Sequence, residues 1–261
     1  MTVVGHVESL WRYPVKSMCG EELTDAFLGF GGIYGDRVYA FRSPAAPKGF
    51  PYLTGREQEQ MLRFRPAYCH PARMAAPANL AEAEAMAPGI TPIYPDPDDL
   101  ALNVATPSGE VLAIDDPRLI SMLSGGAHAG ATLHRSDRAM TDCRPVSLFS
   151  VQTARRLSEE VGREIDKRRF RANIYLDLAA TGGFAEDAFV GQTIRIGGKA
   201  VIAVTDRDPR CKMVTLDPDT AEQNLDVLRA INSAHGNKAG VYGVVLVEGT
   251  IRPGDEITTA T

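Results

Sequence analysis

A chain of 261 residues, 44% hydrophobic and 23% charged, has the size and composition of a globular protein with one large or two small domains. Its formal charge of −5 excludes a general attraction to nucleic acid or an anionic membrane, so any anion site must be a local cluster. No run approaches the ~18 apolar residues of a membrane span, and Met1–Ser17 lacks the basic start and apolar stretch of a secretory signal, which points to a cytoplasmic protein.

Taken in chain order, Val3–Leu10 alternates as a strand, and Pro14 then imposes an extended turn that puts Lys16 and Ser17 on a loop. A turn at Gly35 leads into a β-rich run through Ser43, with Tyr39 and Phe41 on one face. Residues 66–97 are rich in Ala, Pro and Met, and seven prolines interrupt them. Only 79–87 reads as a short helix, and the remainder reads as loop, either a lid over a substrate entrance or a surface insertion. Residues 100–114 predict a hairpin turning at Pro107–Gly109, and Asp116-Pro117 predicts the start of a helix. Ser150 caps a predicted helix that Gly162 ends. Arg169–Leu178 reads as a strand with Arg171 and Asn173 on one face. Gly197-Gly198 joins two further strands, a helix with Leu225, Leu228 and Ile231 inward ends at Gly236, and a hairpin-like pair closes the chain. The pattern predicts a β-rich α+β fold, barrel-like rather than doubly wound.

Four cysteines lie far apart with no Cys-x-x-Cys, and five histidines lack metal-site spacing, so reduced thiols are expected. The glycines of 29–35 and 197–200 miss the spacing of phosphate-binding loops and read as turns. Cys211 differs from the other cysteines, because Arg207, Arg210 and Lys212 surround it at the end of a predicted strand. A cationic setting favours a thiolate, a soft ligand for a redox metal. Taken by itself, the segment fits a small core residue near surface charge better, since free cysteines are usually core.

Seven separated segments, among them "LWRYPVKS", "GDRVYAF", "RFRANIYLD" and "RCKMVTLDPDT", resemble in order the MOSC family, named for the C-terminal domain of molybdenum cofactor sulfurase. The likeness is strongest to the amidoxime-reducing components and their bacterial relatives. It implies a MOSC β-barrel with flanking helices over residues 116–261 and an N-terminal mixed α/β companion lobe over 1–115. A molybdenum–molybdopterin cofactor would lie in the cleft between them, with Cys211 as the metal ligand. Asp208 stands where the family often carries another cysteine. Lys16, Ser17, Arg37, Arg171 and Asn173 match cofactor contacts of the family. Thr54 and Arg56 match a nearby stretch more loosely, and Asp142 matches a polar loop near the metal, as a second catalytic candidate. Ser150 would add a helix N-terminus facing the same cleft. Each of these polar residues also has a plain reading, as a solvated loop lysine, a strand-edge arginine or an ordinary helix cap.

The implied activity is reduction of small N-hydroxylated compounds. A separate electron donor (a ferredoxin, flavoprotein or cytochrome) is expected, because no cysteine follows Cys211 and so no iron–sulfur domain is encoded. Two other readings stand beside it: a sulfur-transfer protein with a Cys211 persulfide, and a non-enzymatic cofactor carrier.

Overall fold

The computed structural model describes residues 2–87 and 93–259. Strand β1 (Thr2–Arg12) opens the chain, followed by β2 (Glu21–Leu23), β3 (Ala26–Gly29), β4 (Gly32–Ile33) and β5 (Tyr39–Arg42). Then come β6 (Arg65–Tyr68), helix α1 (Leu80–Met86), β7 (Leu102–Ala105), β8 (Val111–Ala113), α2 (Pro117–Leu123) and β9 (Thr132–Arg135). The second half contains β10 (Val146–Ser150), α3 (Val151–Val161), β11 (Ile174–Leu178), β12 (Thr193–Ile196) and β13 (Ala200–Pro209). It ends with α4 (Leu225–His235), β14 (Lys238–Val247), β15 (Gly249–Ile251) and β16 (Glu256–Thr259).

Seven strands close into a barrel in the order β11-β10-β14-β13-β12-β16-β1, with β1 returning to β11. Closure satisfies the backbone groups that an open sheet would leave at its edges. All pairs are antiparallel except β10–β11. A parallel pair needs a crossover, and α3 supplies it. The alternating residues of β1 therefore belong to the same barrel as the C-terminal strands. Leu10, Leu148, Ile174, Ile194, Ile202 and Ile257 fill the barrel, each fully buried. Phe149, Leu157, Tyr175, Val227 and Ile231 form a second core where α3 and α4 pack on the outside.

β2 extends the barrel sheet by pairing with β1, and the other strands form small sheets: β15-β3-β4, β5-β9 and β6-β7-β8. The sheet β15-β3-β4 adds Ala26, Leu28, Ile33 and Ile251 to the barrel core, whereas the other two share a separate core built on Val15, Phe41, Leu53, Met61, Val104 and Leu112. The β-rich α+β architecture is as expected.

Several local readings hold. Asp116 caps α2 with Pro117 in the first turn, Ser150 caps α3, and Gly162 and Gly236 end α3 and α4 in the left-handed region. Three readings need correction. The final hairpin does not form, because β14 lies between β10 and β13, β15 joins β3, and β16 inserts between β12 and β1. Barrel closure offers each strand a partner that the next segment cannot. Leu225 is 47% exposed, since the buried i, i+4 stripe of α4 is Val227 and Ile231. The loop expected from Pro66 contains β6, which tolerates its proline because β6 is an edge strand. Within the segment 66–97, residues 88–92 lie outside the described residues.

Candidate functional site

A narrow cleft of about 90 Å³ gathers residues from seven separate stretches of the chain. Lys16, Ser17, Arg37, Thr54, Arg56, Asp142, Arg171 and Cys211 all line it, joined by Arg169, Asp208, Arg210 and Tyr242. Strand ends and turns deliver most of them. Lys16 and Ser17 follow β1, Arg37 precedes β5, and Asp142 precedes β10. Arg169 and Arg171 end the link from α3 to β11, and Asp208 lies at the end of β13. Cys211 opens the short 3-10 turn Lys212–Thr215 that follows.

Backbone strain concentrates here. Ser17, Arg37 and Arg171 have φ of +66°, +47° and +52°, three of the six non-glycine residues with positive φ among those described. Side chains larger than glycine pay a steric penalty in this region, and such residues cluster where the surrounding structure must aim a group. For Arg171 this overturns the strand reading: it ends a 3-10 turn, and β11 begins only at Ile174.

The cations divide into paired and unpaired. Lys16, 5% exposed, donates to Met140 O at 2.8 Å and is ion-paired with Asp142. Burial pushes the Lys16 ammonium below its ordinary range. Burial works to raise the Asp142 carboxyl, but Lys16 outweighs it and holds the group below the usual value, so it stays ionised at neutral pH. Arg37 pairs with the fully buried Asp36 at 2.5 Å and donates to Arg171 O at 2.9 Å. Arg169 pairs with Asp217 at 2.9 Å.

The three cations around Cys211 are also matched: Arg207 with Asp187, Arg210 with Asp208, and Lys212 with Glu59. The positive field expected at the thiol is thus largely cancelled by neighbouring carboxylates. These pairs serve position instead. Arg210 donates to Ala239 O and Phe170 O, and Lys212 donates to Arg56 O, tying the Cys211 turn to both halves of the cleft. Gly55 packs so closely on this turn that a Cβ there would meet Met213 Sδ at 2.9 Å and Leu62 Cδ1 at 2.7 Å.

Two guanidiniums of the cleft, Arg56 and Arg171, have no carboxylate ion-pair partner among the described residues. Arg56 Nε donates only to Thr54 Oγ1, and its guanidinium lies over the Phe50 ring at 4.4 Å. The Nη2 of Arg171 is buried without any hydrogen bond. Burial and the neighbouring Arg37 depress its pKa, although the Tyr13 ring opposes them. That ring lies 4.3 Å from Arg171 and 4.7 Å from Arg37. A buried donor without a partner is costly, and an anionic ligand would remove the cost.

Asp208 is the other distinctive group. It is 2% exposed, and burial pushes its carboxyl up to about 6 against the opposing pull of Arg210 and a hydrogen bond from Tyr242. Sequence reading missed Tyr13, Asp208 and Tyr242 in these roles, and nothing in a linear pattern marks a tyrosine as the floor beneath two arginines.

Ser150 and Asn173 are not brought to the cleft. Both are fully buried. The Asn173 side chain is occupied by Ser147 and Trp11 O. The N-terminus of α3 already holds an anion: the buried Glu186 accepts from Ser150 N, Ser150 Oγ and Thr153 Oγ1. Ser150→Ala is therefore expected to cost about 1–2 kcal/mol of stability, read by denaturant unfolding, and to leave ligand binding in the cleft unchanged.

Residues 135–258 match the family model of the MOSC domain, and residues 4–106 match that of the MOSC N-terminal beta barrel domain. The chain belongs to the MOSC family. MOSC domains are associated with binding of the molybdenum cofactor. No curated protein sequence matches this chain. Among solved structures, the YuaD protein from Bacillus subtilis is 13% identical with a TM-score of 0.49, over 97% of this chain and 93% of that one. YiiM from Geobacillus stearothermophilus is 20% identical with a TM-score of 0.33, over 45% and 55%. YiiM from Escherichia coli is 18% identical with a TM-score of 0.32, over 45% and 55%. The two family models, in chain order, carry the assignment of this MOSC protein. No helix among the described residues is long and apolar enough to cross a membrane.

Proposed function

We propose that this MOSC protein is a molybdenum-cofactor-dependent reductase of N-hydroxylated compounds, with the cofactor in the cleft and Cys211 as the metal ligand. The observation that carries this reading is the shared cleft of a half-buried free thiol and an unpartnered buried guanidinium. The residues fit the group. Arg171 and Arg56 offer donors to an anionic pterin phosphate, and guanidinium is suited to phosphate by its planar fork. Among the described residues no group of three or more His, Cys, Asp or Glu is placed to hold a metal ion. A metal at Cys211 must then arrive with its other donors already attached, as a pterin-bound molybdenum does.

When bound, the cofactor supplies the two electrons that cleave N–OH to N–H and water. The chain supplies position and protons. Arg171, Arg56 and Ser17 would hold the anionic end, Thr54 positions Arg56 because its hydroxyl already donates to Glu57 at 2.6 Å, and Arg37, locked by Asp36, fixes the Arg171 carbonyl and so the turn that aims it. Asp142, kept ionised by Lys16, closes one wall of the cleft. Two protons are consumed per turnover, and the Asp208 carboxyl, poised near neutrality beside Tyr242, is the group suited to carry one. A separate donor protein in the cytoplasm supplies electrons to this pathway. Division near residue 115 into a companion lobe and a MOSC domain belongs to the same reading, with β1 contributed across the boundary to the barrel.

The test is elemental analysis of protein made in a cofactor-competent host, together with benzamidoxime reduction by an artificial reductant. Near-stoichiometric molybdenum and benzamidine formation are expected. Function as a persulfide carrier without molybdenum would replace this reading, and bound cofactor with no turnover would make the protein a carrier.

A further inference from the structure

Beside the cleft lies a larger groove of about 730 Å³, within the range of small-molecule sites. Its floor is the glycine-rich stretch Gly29–Gly35, which no phosphate-binding role explains. Its walls include Phe27, Phe30, Ile33, Tyr34, Tyr94 and Leu100. Pro77, Ile93 and Pro95 of the alanine- and proline-rich segment also face it. Thr141 lines both the groove and the cleft, so the two lie on either side of one residue. Asp36, at the base of the groove, is the ion-pair partner of the cleft residue Arg37.

The chemistry of the walls selects the occupant. Aromatic and aliphatic side chains dominate, and the glycines let a flat ring approach the backbone. The charged side chains at its edge are Asp137, Glu248 and Arg138, with Asp36 consumed by Arg37, so an anion is disfavoured. Glu248 already accepts from Phe30 N at 3.0 Å.

We propose that this groove binds the uncharged aromatic part of the substrate, holding its N-hydroxylated end toward the cleft past Thr141. The chemical step rests on the reductase reading, whereas the groove's preference for a planar apolar ring does not. Pro77, Ile93, Tyr94 and Pro95 would then act as a substrate wall and determine which ring systems fit.

Gly31 provides a clean probe. A Cβ there would meet its nearest neighbours, Arg138 Cα and Asp137 O, at an ordinary 3.7 Å, and the residue lies outside the left-handed region. Gly31→Phe fills the groove without backbone strain. Tyr94→Ala, at a position 59% exposed, removes one wall and gives a second variant whose folding is not at issue.

The experiment has two arms. In the first, cofactor-free protein is titrated with benzamidoxime and followed by amide NMR. Shifts at Gly29–Ile33 and Thr141 are expected, and both variants should weaken them, Gly31→Phe by at least about tenfold. In the second, the loaded protein is assayed with benzamidoxime and with the short aliphatic acetamidoxime. Each variant should raise KM for the aromatic compound and leave that for the aliphatic one alone. Shifts absent from the groove, or unmoved by both variants, overturn the proposal, as does an equal change in KM for both compounds. Groove shifts in a protein that reduces neither compound would defeat the reductase reading and leave the ring site standing.

Discussion

Protein carrying Cys211→Ser is expected to leave a cofactor-competent host with molybdenum reduced at least about tenfold, and with no measurable benzamidoxime reduction. Serine nearly preserves the shape, but its hydroxyl is a hard donor that stays protonated at neutral pH, whereas a thiolate is soft and polarisable. The rest of the site should not notice the change. The sulfur is half-buried and makes no hydrogen bond to a described residue, and the turn that bears it is held by Arg210 and Lys212 rather than by the side chain. Unfolding free energy should therefore stay within about 0.5 kcal/mol of the wild type. Metal content is read by elemental analysis, folding by chemical denaturation and turnover by product formation. A variant that keeps full molybdenum would remove Cys211 from the metal and with it the proposed chemistry.

Arg171→Met should separate binding from folding. Its guanidinium is buried, close to Arg37, and has an Nη2 with no partner, so the cofactor-free protein carries an uncompensated cost at this position. Methionine approximates the length of the stem, removes the charge and its N–H donors, and replaces the guanidinium over the Tyr13 ring with a sulfur that can also contact an aromatic face. The cofactor-free variant should melt at or above the temperature of the wild type. Retention of the cofactor should fall about a hundredfold, the loss of a charge-assisted contact of about 2–3 kcal/mol. The opposite signs make the test sharp. A variant that melts several degrees lower would make Arg171 a structural residue, and one that still holds its cofactor would leave the guanidinium without a role. Arg56→Met provides the comparison: its half-exposed guanidinium is already partly solvated, so both effects should be smaller.

Periodicity and caps made α3 legible in the sequence, from Ser150 through Gly162, and the Gly197-Gly198 turn placed β12 against β13. Those signals are local, since a cap and its helix lie within a few residues. The partners of β14, β15 and β16 are not legible, because β14 pairs with β10 and β13, β15 with β3 and β16 with β12 and β1, and pairing between distant segments leaves no mark on spacing. The cleft shows the same division. Lys16, Arg37, Arg171 and Cys211 were found through segments resembling a family, and they converge. Ser150 was chosen for a helix N-terminus that looks free in sequence, yet Glu186, thirty-six residues away, occupies it. Asn173 matches a family contact and alternates with Arg171 in sequence, but the left-handed turn at Arg171 breaks the alternation before the strand begins, and the amide is taken up by Ser147 and Trp11 O. An arginine has no preference for that backbone region, so only the surrounding structure could announce it.

The placement of β1 bears on how the molecule is made. Thr2 pairs with Thr259, so β1 can take β2 as a neighbour at once but meets β16 only after the whole intervening chain has been made. At about 5–20 residues per second, its apolar face waits on the order of 10–50 s for β11 and then β16. During that interval the nascent chain exposes an eleven-residue strand to other polypeptides. Yield in a cell should therefore depend on holdase chaperones and on growth temperature more steeply than the equilibrium stability of the finished barrel suggests.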